Sequence, residues 1–174
     1  VGGGHGAFIG GVHRIAARMD DRWELVSGAL SSNKERAKVS ADEIGLVRSY
    51  SSFEEMAKVE SSLEDGIDAV SIVTPNNVHS APVIAFLNAG IHVICDKPLA
   101  ATMEQANQIS ESVEKSEARF FLTHNYTAYP LIRQAQKLVK EGALGRIRVV
   151  QSEYVQDWLT NETSNRQADW RTDP

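Results

Sequence analysis

The sequence predicts an α/β fold in which a doubly wound parallel sheet is covered by helices. Three observations carry this. Strand-like and helix-like segments alternate along most of the 174 residues. The clearest strands, 67–74 (IDAVSIVT) and 91–95 (IHVIC), are nearly continuous apolar runs, as strands buried on both faces are. The chain also opens on a glycine-rich loop that runs straight into a helical pattern, VGGGHGAFIGGVHRIAARM.

Each element has its own local reason. Ile9, Val12, Ala16 and Met19 share one helical face behind the glycine loop. Residues 23–30 (WELVSGAL) read as a strand. Ser32 and Glu35 stand at capping-box spacing and start a helix that Gly45 ends. Residues 47–50 form a short strand, and Ser52 with Glu55 repeats the capping spacing before a helix over 53–61. Pro75 closes strand 67–74, and a helix over 79–89 ends at Gly90. After strand 91–95, Thr102 with Gln105 caps a helix running to Glu117, followed by strand 119–123 (RFFLT). Pro130 suits a first helical turn, with Leu131, Ala135, Leu138 and Val139 as the apolar face down to Gly142. Residues 147–154 (IRVVQSEY) alternate as a strand, and 156–174 show no period.

Only Val1 stands before the glycine loop, where this fold places a central strand. The expectation is therefore a piece of a longer protein, with the first strand largely missing. Residues 1–125 make the dinucleotide-binding domain, and 126–174 are a linking helix and the beginning of a second α/β domain.

A net charge of −5, with Lys and Arg scattered, argues against nucleic acid or an anionic membrane surface as partner. No apolar run reaches the ~18 residues of a membrane span, and the glycine-rich start does not read as a leader. The single cysteine, Cys95, points to a reducing, cytoplasmic setting, and it reads as a core residue rather than a nucleophile. The five histidines show no metal-binding spacing, so no metal is expected, and His92 reads as a packed strand residue.

Four stretches carry chemistry. In the first, Gly2, Gly4 and Gly6 let the backbone approach a pyrophosphate, and the N–H groups of Ala7, Phe8 and Ile9 open toward it at a helix N-terminus. The spacing departs from G-x-G-x-x-G: the third glycine is Gly10 after three extra residues, or else Ala7 takes that place. The second stretch, Leu30-Ser-Ser-Asn-Lys34, lacks the carboxylate expected there for a ribose 2′-hydroxyl. Ser31, Ser32 and Lys34 accept a 2′-phosphate instead, so the cofactor is NAD or NADP with a lean to NADP, unless Ser32 merely caps the helix. In the third, IVTPNNVH, Thr74 and Asn76 reach a ribose or nicotinamide and Pro75 fixes the turn. His79 orders the loop or, less readily, acts in catalysis. In the fourth, HVICDKPL, Lys97 faces the same crevice from a strand end. It polarises a substrate oxygen, Asp96 orients it, and Pro98 restricts its backbone, with a cis bond possible there. A surface lysine is the plainer reading of Lys97 taken alone.

Taken together, the glycine loop, IVTPNNVHSAPVIAFLNAGIHVICDKPLA and EGALGRIRVVQSEY resemble the glucose–fructose oxidoreductase / inositol dehydrogenase (Gfo/Idh/MocA) family over almost the whole chain. His13 matches that family's histidine after the last loop glycine. The resemblance implies an N-terminal nicotinamide-binding Rossmann domain and an enzyme that oxidises or reduces sugars, cyclitols or related polyols. It implies a homo-oligomer formed through the second domain. It maps the catalytic lysine of an E-K-P motif onto Lys97, with Asp96 in place of the usual Glu, and a cofactor- or substrate-facing position onto Asn125. Tyr126 and Thr127 stand where an arginine is common. The family's catalytic histidine lies in a D-x-x-x-H segment that these residues do not contain, so the chain is expected to bind cofactor without completing turnover. The alternative is a non-catalytic NAD(P)-sensing regulator on the same fold, against which the presence of Lys97 counts. Trp158 and Trp170, with Gln156 and Asp157, read as lining for a sugar site or an interdomain contact.

Overall fold

The computed structural model describes residues 1–157 and 160–161. These fall into two compact units, Val1–Ala128 and the described residues from Tyr129 onward.

In the first unit, helices α1 (Phe8–Arg18), α2 (Lys34–Ile44), α3 (Phe53–Glu60), α4 (Ser80–Asn88) and α5 (Met103–Lys115) alternate with strands β1 (Ser27–Gly28), β2 (Arg48–Ser49), β3 (Ala69–Ile72), β4 (His92–Cys95) and β5 (Phe120–Leu122). Every ladder is parallel. β1 pairs with β2, and β3, β4 and β5 form a three-stranded sheet in that order, with Ala69 opposite His92 and Val93 opposite Phe120. Val1 and Gly2 join the two: Gly2 N–H donates to Ala29 O at 2.9 Å, and Val73 N–H donates to Val1 O at 3.0 Å. The order across the molecule is therefore β2, β1, Val1–Gly2, β3, β4, β5. The glycine loop leaves the sheet at the point where the strand order reverses, which is where such sheets bind ligands.

The core is the set that the apolar runs supply. Ile72, Val83, Phe86, Val93 and Cys95 are fully buried, with Met56, Leu87 and Ile109 beside them. Ser52 caps α3 by accepting Glu55 N–H, and Thr102 caps α5 by accepting Gln105 N–H, as the spacing predicts.

Four expectations change. The cap of α2 is Asn33, which accepts Arg36 N–H, rather than Ser32. Asparagine serves this position as well as serine does, and Ser31 Oγ accepts the Asn33 N–H and holds the turn one residue later. On α1, Val12, Ala16 and Met19 are exposed and Gly10 is the buried residue. The side that meets the body carries Gly10, His13 and Arg14, because a bare backbone and two polar contacts set the docking there. The strands at 23–30 and 47–50 shrink to ladders of two residues each. Residues 147–154 join no ladder among the described residues; alternation alone does not make a strand without a partner for its backbone groups. In the second unit, α6 (Pro130–Lys140) begins at Pro130 as expected. No helix among the described residues is long and apolar enough to cross a membrane.

Candidate active site

The loops that follow β1, β3, β4 and β5, together with the glycine loop, share the rim at the C-terminal ends of the parallel strands. The glycine loop packs tightly on its surroundings. A Cβ on Gly10 would lie 2.6 Å from Gly3 Cα, and Gly3 itself has φ of +72°. Gly10, not Ala7, thus takes the place of the third glycine, the one that permits close helix packing. Arg14 Nη1 donates to Gly3 O at 2.9 Å and pins the loop to its own helix. The extra residues fold toward α2: His5 N–H donates to Ser40 Oγ at 3.0 Å, and His5 Nδ1 lies 3.0 Å from Glu43 Oε1. A cavity of about 140 Å³ lies between this loop and α2, lined by Gly3, Gly4, Gly6, Ala7, Arg14 and Ser40 among others.

The rim suits an anionic dinucleotide on three counts. The N-terminus of α1 has no side-chain cap, so its first-turn N–H groups, Phe8 and Ile9 among them, remain available, whereas the Ala7 N–H expected beside them donates to Gly4 O at 3.0 Å and closes the loop instead. A Cβ on Gly4 would lie 2.8 Å from Leu30 O, so only glycine lets the loop lie this close to the residues that follow β1. Thr74 Oγ1 is buried without a hydrogen-bond partner while its methyl packs against Gly2; an orphaned hydroxyl of this kind calls for a partner.

Lys97 lies exposed on the turn that closes β4, and the Lys97–Pro98 peptide is cis. Asp96 N–H donates to Ile72 O at 2.9 Å, which locks this turn to β3. The Asp96 carboxylate ties three elements together. Its Oδ1 accepts the Thr123 hydroxyl at 2.7 Å and lies 3.6 Å from His13 Nε2, an ion pair when that ring is protonated. His13 Nδ1 in turn meets Ser71 Oγ at 2.7 Å. Through Asp96 the lysine turn is joined to the glycine-loop helix, to β3 and to the end of β5. Sequence reasoning singles out His13 and Asp96 but misses Ser71 and Thr123. The available signal was Ser71 as the one polar residue inside an apolar strand, and Thr123 as the hydroxyl ending RFFLT.

The remaining positions fall as follows. Pro75 is exposed and Asn76 half-buried on the turn after β3, and His79 is buried beneath it. Ser31 is half-buried, and Ser32 and Lys34 are exposed at the start of α2. Asn125 is exposed, two residues beyond Thr123 on the same rim. Cys95 is core: burial, with the charge of Asp96 beside it, pushes its thiol up to about 12, so it holds no thiolate near neutral pH. His92 Nδ1 accepts Arg119 N–H at 3.0 Å. Among the described residues no three His, Cys, Asp or Glu side chains come together as a metal site. Trp158 and Trp170 lie outside the described residues.

A parallel sheet that sends its loops to one reversal point, with an anion-ready helix start there, defines a dinucleotide-binding domain of the Rossmann class. Residues 1–124 match the Gfo/Idh/MocA group, described as an oxidoreductase family with an NAD-binding Rossmann fold, and the chain belongs to that family. It is 32% identical to a levoglucosan dehydrogenase of Pseudarthrobacter phenanthrenivorans over 172 residues, 94% of this chain and 42% of that protein. A crystal structure of an oxidoreductase from Sinorhizobium meliloti superposes with a TM-score of 0.83 at 56% identity, covering 87% of this chain and 44% of that one. An inositol dehydrogenase homolog from Azotobacter vinelandii, complexed with NAD+, gives 0.79 at 37% identity over 84% of this chain and 38% of that one. The chain spans about half the length of the curated relatives it matches.

The Gly3–Gly10 contact gives a direct test of the loop. Overpacking of this kind costs about 1–3 kcal/mol. Gly10→Ala is expected to weaken NAD binding about tenfold, the equivalent of ~1.4 kcal/mol, in a fluorescence titration, with helix content by circular dichroism unchanged.

Proposed function

We propose that this chain is the cofactor-binding part of a dehydrogenase that moves hydride between a nicotinamide dinucleotide and a secondary carbinol of a sugar or cyclitol. The observation that carries the reading is the tie from Asp96, next to Lys97, to His13 on the glycine-loop helix. That link keeps a cationic side chain on the rim where the dinucleotide-binding loop opens. The names of the relatives, levoglucosan dehydrogenase and inositol dehydrogenase homolog, support the substrate class.

The first-turn N–H groups of α1 bind the pyrophosphate, and Thr74 Oγ1 donates or accepts a hydrogen bond at the ribose or nicotinamide. The dinucleotide, when bound, supplies the hydride acceptor or donor. The Lys97 ammonium donates a hydrogen bond to the substrate oxygen and stabilises the negative charge it carries once the hydroxyl proton has passed to a base supplied by the complete protein; in the reduction direction the same hydrogen bond stabilises the charge that develops on the carbonyl oxygen as hydride arrives at carbon. Asp96, held by Thr123 and His13, fixes the turn that aims the lysine. Asn125 extends the same rim toward cofactor or substrate.

The preferred cofactor is NADP. The end of β1 offers no carboxylate to a ribose 2′-hydroxyl, while Ser32 and Lys34 are exposed there. Ser31 accepts the Asn33 N–H through an oxygen lone pair, which leaves its O–H free to donate, so Ser31, Ser32 and Lys34 together are the 2′-phosphate contacts. Ser32→Asp sets a like charge against that phosphate and is expected to lower the NADP-to-NAD affinity ratio at least about tenfold in paired titrations. The function itself is tested with the complete protein, purified and mixed with NAD or NADP and a panel of sugars and cyclitols. Growth of reduced-nicotinamide absorbance with at least one of them is expected; silence with all of them, despite measurable cofactor binding, refutes the reading.

A further inference from the structure

His79 is 1% exposed, and both of its ring nitrogens meet main-chain carbonyl oxygens. Nδ1 lies 3.0 Å from Pro98 O, and Nε2 lies 2.7 Å from Thr74 O. A carbonyl oxygen only accepts. A neutral imidazole carries one N–H, so in that form one of the two contacts sets a nitrogen lone pair against an oxygen lone pair. The doubly protonated ring donates to both. We infer that His79 is an imidazolium clip joining the Thr74 turn to the Pro98 turn, and that dinucleotide affinity depends on this clip.

The two turns it joins are the two lips of the rim. One carries the orphaned Thr74 Oγ1, and the other follows Lys97 directly. His79 thereby acts as a positioning residue, reaching the ligand only through the groups that it holds. An unmatched buried polar atom weakens an equilibrium by about 5- to 150-fold. The dipole of α4, whose N-terminus His79 occupies, and the burial of the ring both oppose the charge, and the two carbonyl acceptors are what offset them.

The charged surroundings do not supply a partner. α4 packs against β3, β4, α3, α5 and the short turn Asn76–Val78. β3 and that turn carry no titratable side chain. On β4, Cys95 is core and His92 accepts a main-chain N–H. On α3, Glu54, Glu55 and Lys58 are exposed, and Glu60 is bound by Arg48. On α5, Glu104, Glu111, Glu114 and Lys115 are exposed. Of the charges before Pro98, Lys97 is exposed and Asp96 is held by Thr123 and His13. The two carbonyl dipoles therefore solvate the ring's charge. An anionic dinucleotide on the same rim favours the charged ring, so proton and cofactor reinforce one another's binding.

The test uses the complete protein with 15N-labelled histidine. The His79 ring signals are assigned as those missing from His79→Gln. At neutral pH, with NAD bound, both nitrogens are expected to show the protonated type of shift; one protonated and one bare nitrogen would overturn the inference. In titrations, His79→Gln is expected to weaken NAD binding about tenfold and His79→Phe further. Unchanged affinity in both variants also overturns the inference. Should the phenylalanine variant fail to fold, the wild-type ring signals and the glutamine variant decide. None of these readouts depends on which carbinol, if any, the protein oxidises.

Discussion

Lys97→Met is expected to lower kcat by about 10²–10⁴, the usual contribution of a placed proton-donating group, while NAD(P) affinity shifts by no more than about fivefold. The asymmetry follows from where the residue sits. Lys97 is exposed on the turn after β4 and takes no part in the core, so its removal leaves the fold intact. Exposed charge pairs are worth about 0–1 kcal/mol, which bounds its share of cofactor binding. Its contribution appears only when negative charge develops on the substrate oxygen in a partly dry crevice. Lys97→Arg keeps the charge but replaces a compact ammonium with a planar fork on a longer stem; it is expected to remain at least about tenfold impaired. The measurement is steady-state kinetics on the complete protein beside a cofactor titration. If methionine and arginine both retain kcat, the lysine is a surface residue and the oxygen is polarised elsewhere. If affinity collapses while kcat survives, Lys97 is a cofactor ligand alone. Thr123→Val removes the hydroxyl that anchors Asp96 and is expected to give a milder copy of the same kinetic pattern.

How far the sequence foretells this arrangement depends on the range of the interaction. Ser52 and Thr102 are legible as caps because each satisfies an N–H three residues ahead. Cys95 is legible as core because strand period and burial agree. The cap at Asn33 is not legible because three adjacent polar residues suit the role, and the choice is made by Ser31 Oγ taking the Asn33 N–H. The docking side of α1 escapes the apolar period that normally decides it; here the contact between Gly3 and Gly10 and the bonds of His13 and Arg14 decide. The Ser71–His13–Asp96–Thr123 chain could not be read locally. It joins residues from four elements, and which of them meet depends on sheet order and register, properties of the assembled fold. Motif spacing placed Lys97 and Asp96 on one rim, but not what holds them there.

Glu60→Ala is expected to destabilise the Val1–Ala128 unit by about 1–3 kcal/mol, the cost of leaving the Arg48 and Tyr50 donors without their buried acceptor while Asp65 still pairs with Arg48. The Glu60 side chain is 0% exposed and receives Arg48 as a two-pronged pair, Nε to Oε1 and Nη2 to Oε2, each at 2.9 Å. Tyr50 OH donates to Oε1 at 2.9 Å, and Arg48 Nη1 reaches Asp65 Oδ2 at 3.1 Å. Burial alone would push the Glu60 carboxyl up; the hydrogen bonds from Arg48 and Tyr50 outweigh it and hold the group below its ordinary 4.5. Burial and the same carboxylate push the Tyr50 phenol up to about 12. Because the folded carboxyl titrates below its unfolded value, its stabilisation is complete above about pH 4.5 and is lost as pH falls through the lower, folded value. The gap in unfolding free energy between wild type and Glu60→Ala is therefore expected to be full at neutral pH and to narrow in acid, by denaturant titration at both. A gap independent of pH would mean that lost packing, and not lost charge, is what the variant measures. Arg48→Met combined with Glu60→Leu removes both charges together and is expected to recover most of the loss, as buried pairs replaced by apolar groups often do. The consequence reaches the rim. The β1–β2 ladder is only two residues long, and this ion pair adds a tie from β2 to the end of α3 beside the main-chain bonds of that edge. Loosening it frees β1 and the Ser31–Lys34 turn that follows it, and NADP affinity is expected to fall in Glu60→Ala together with stability.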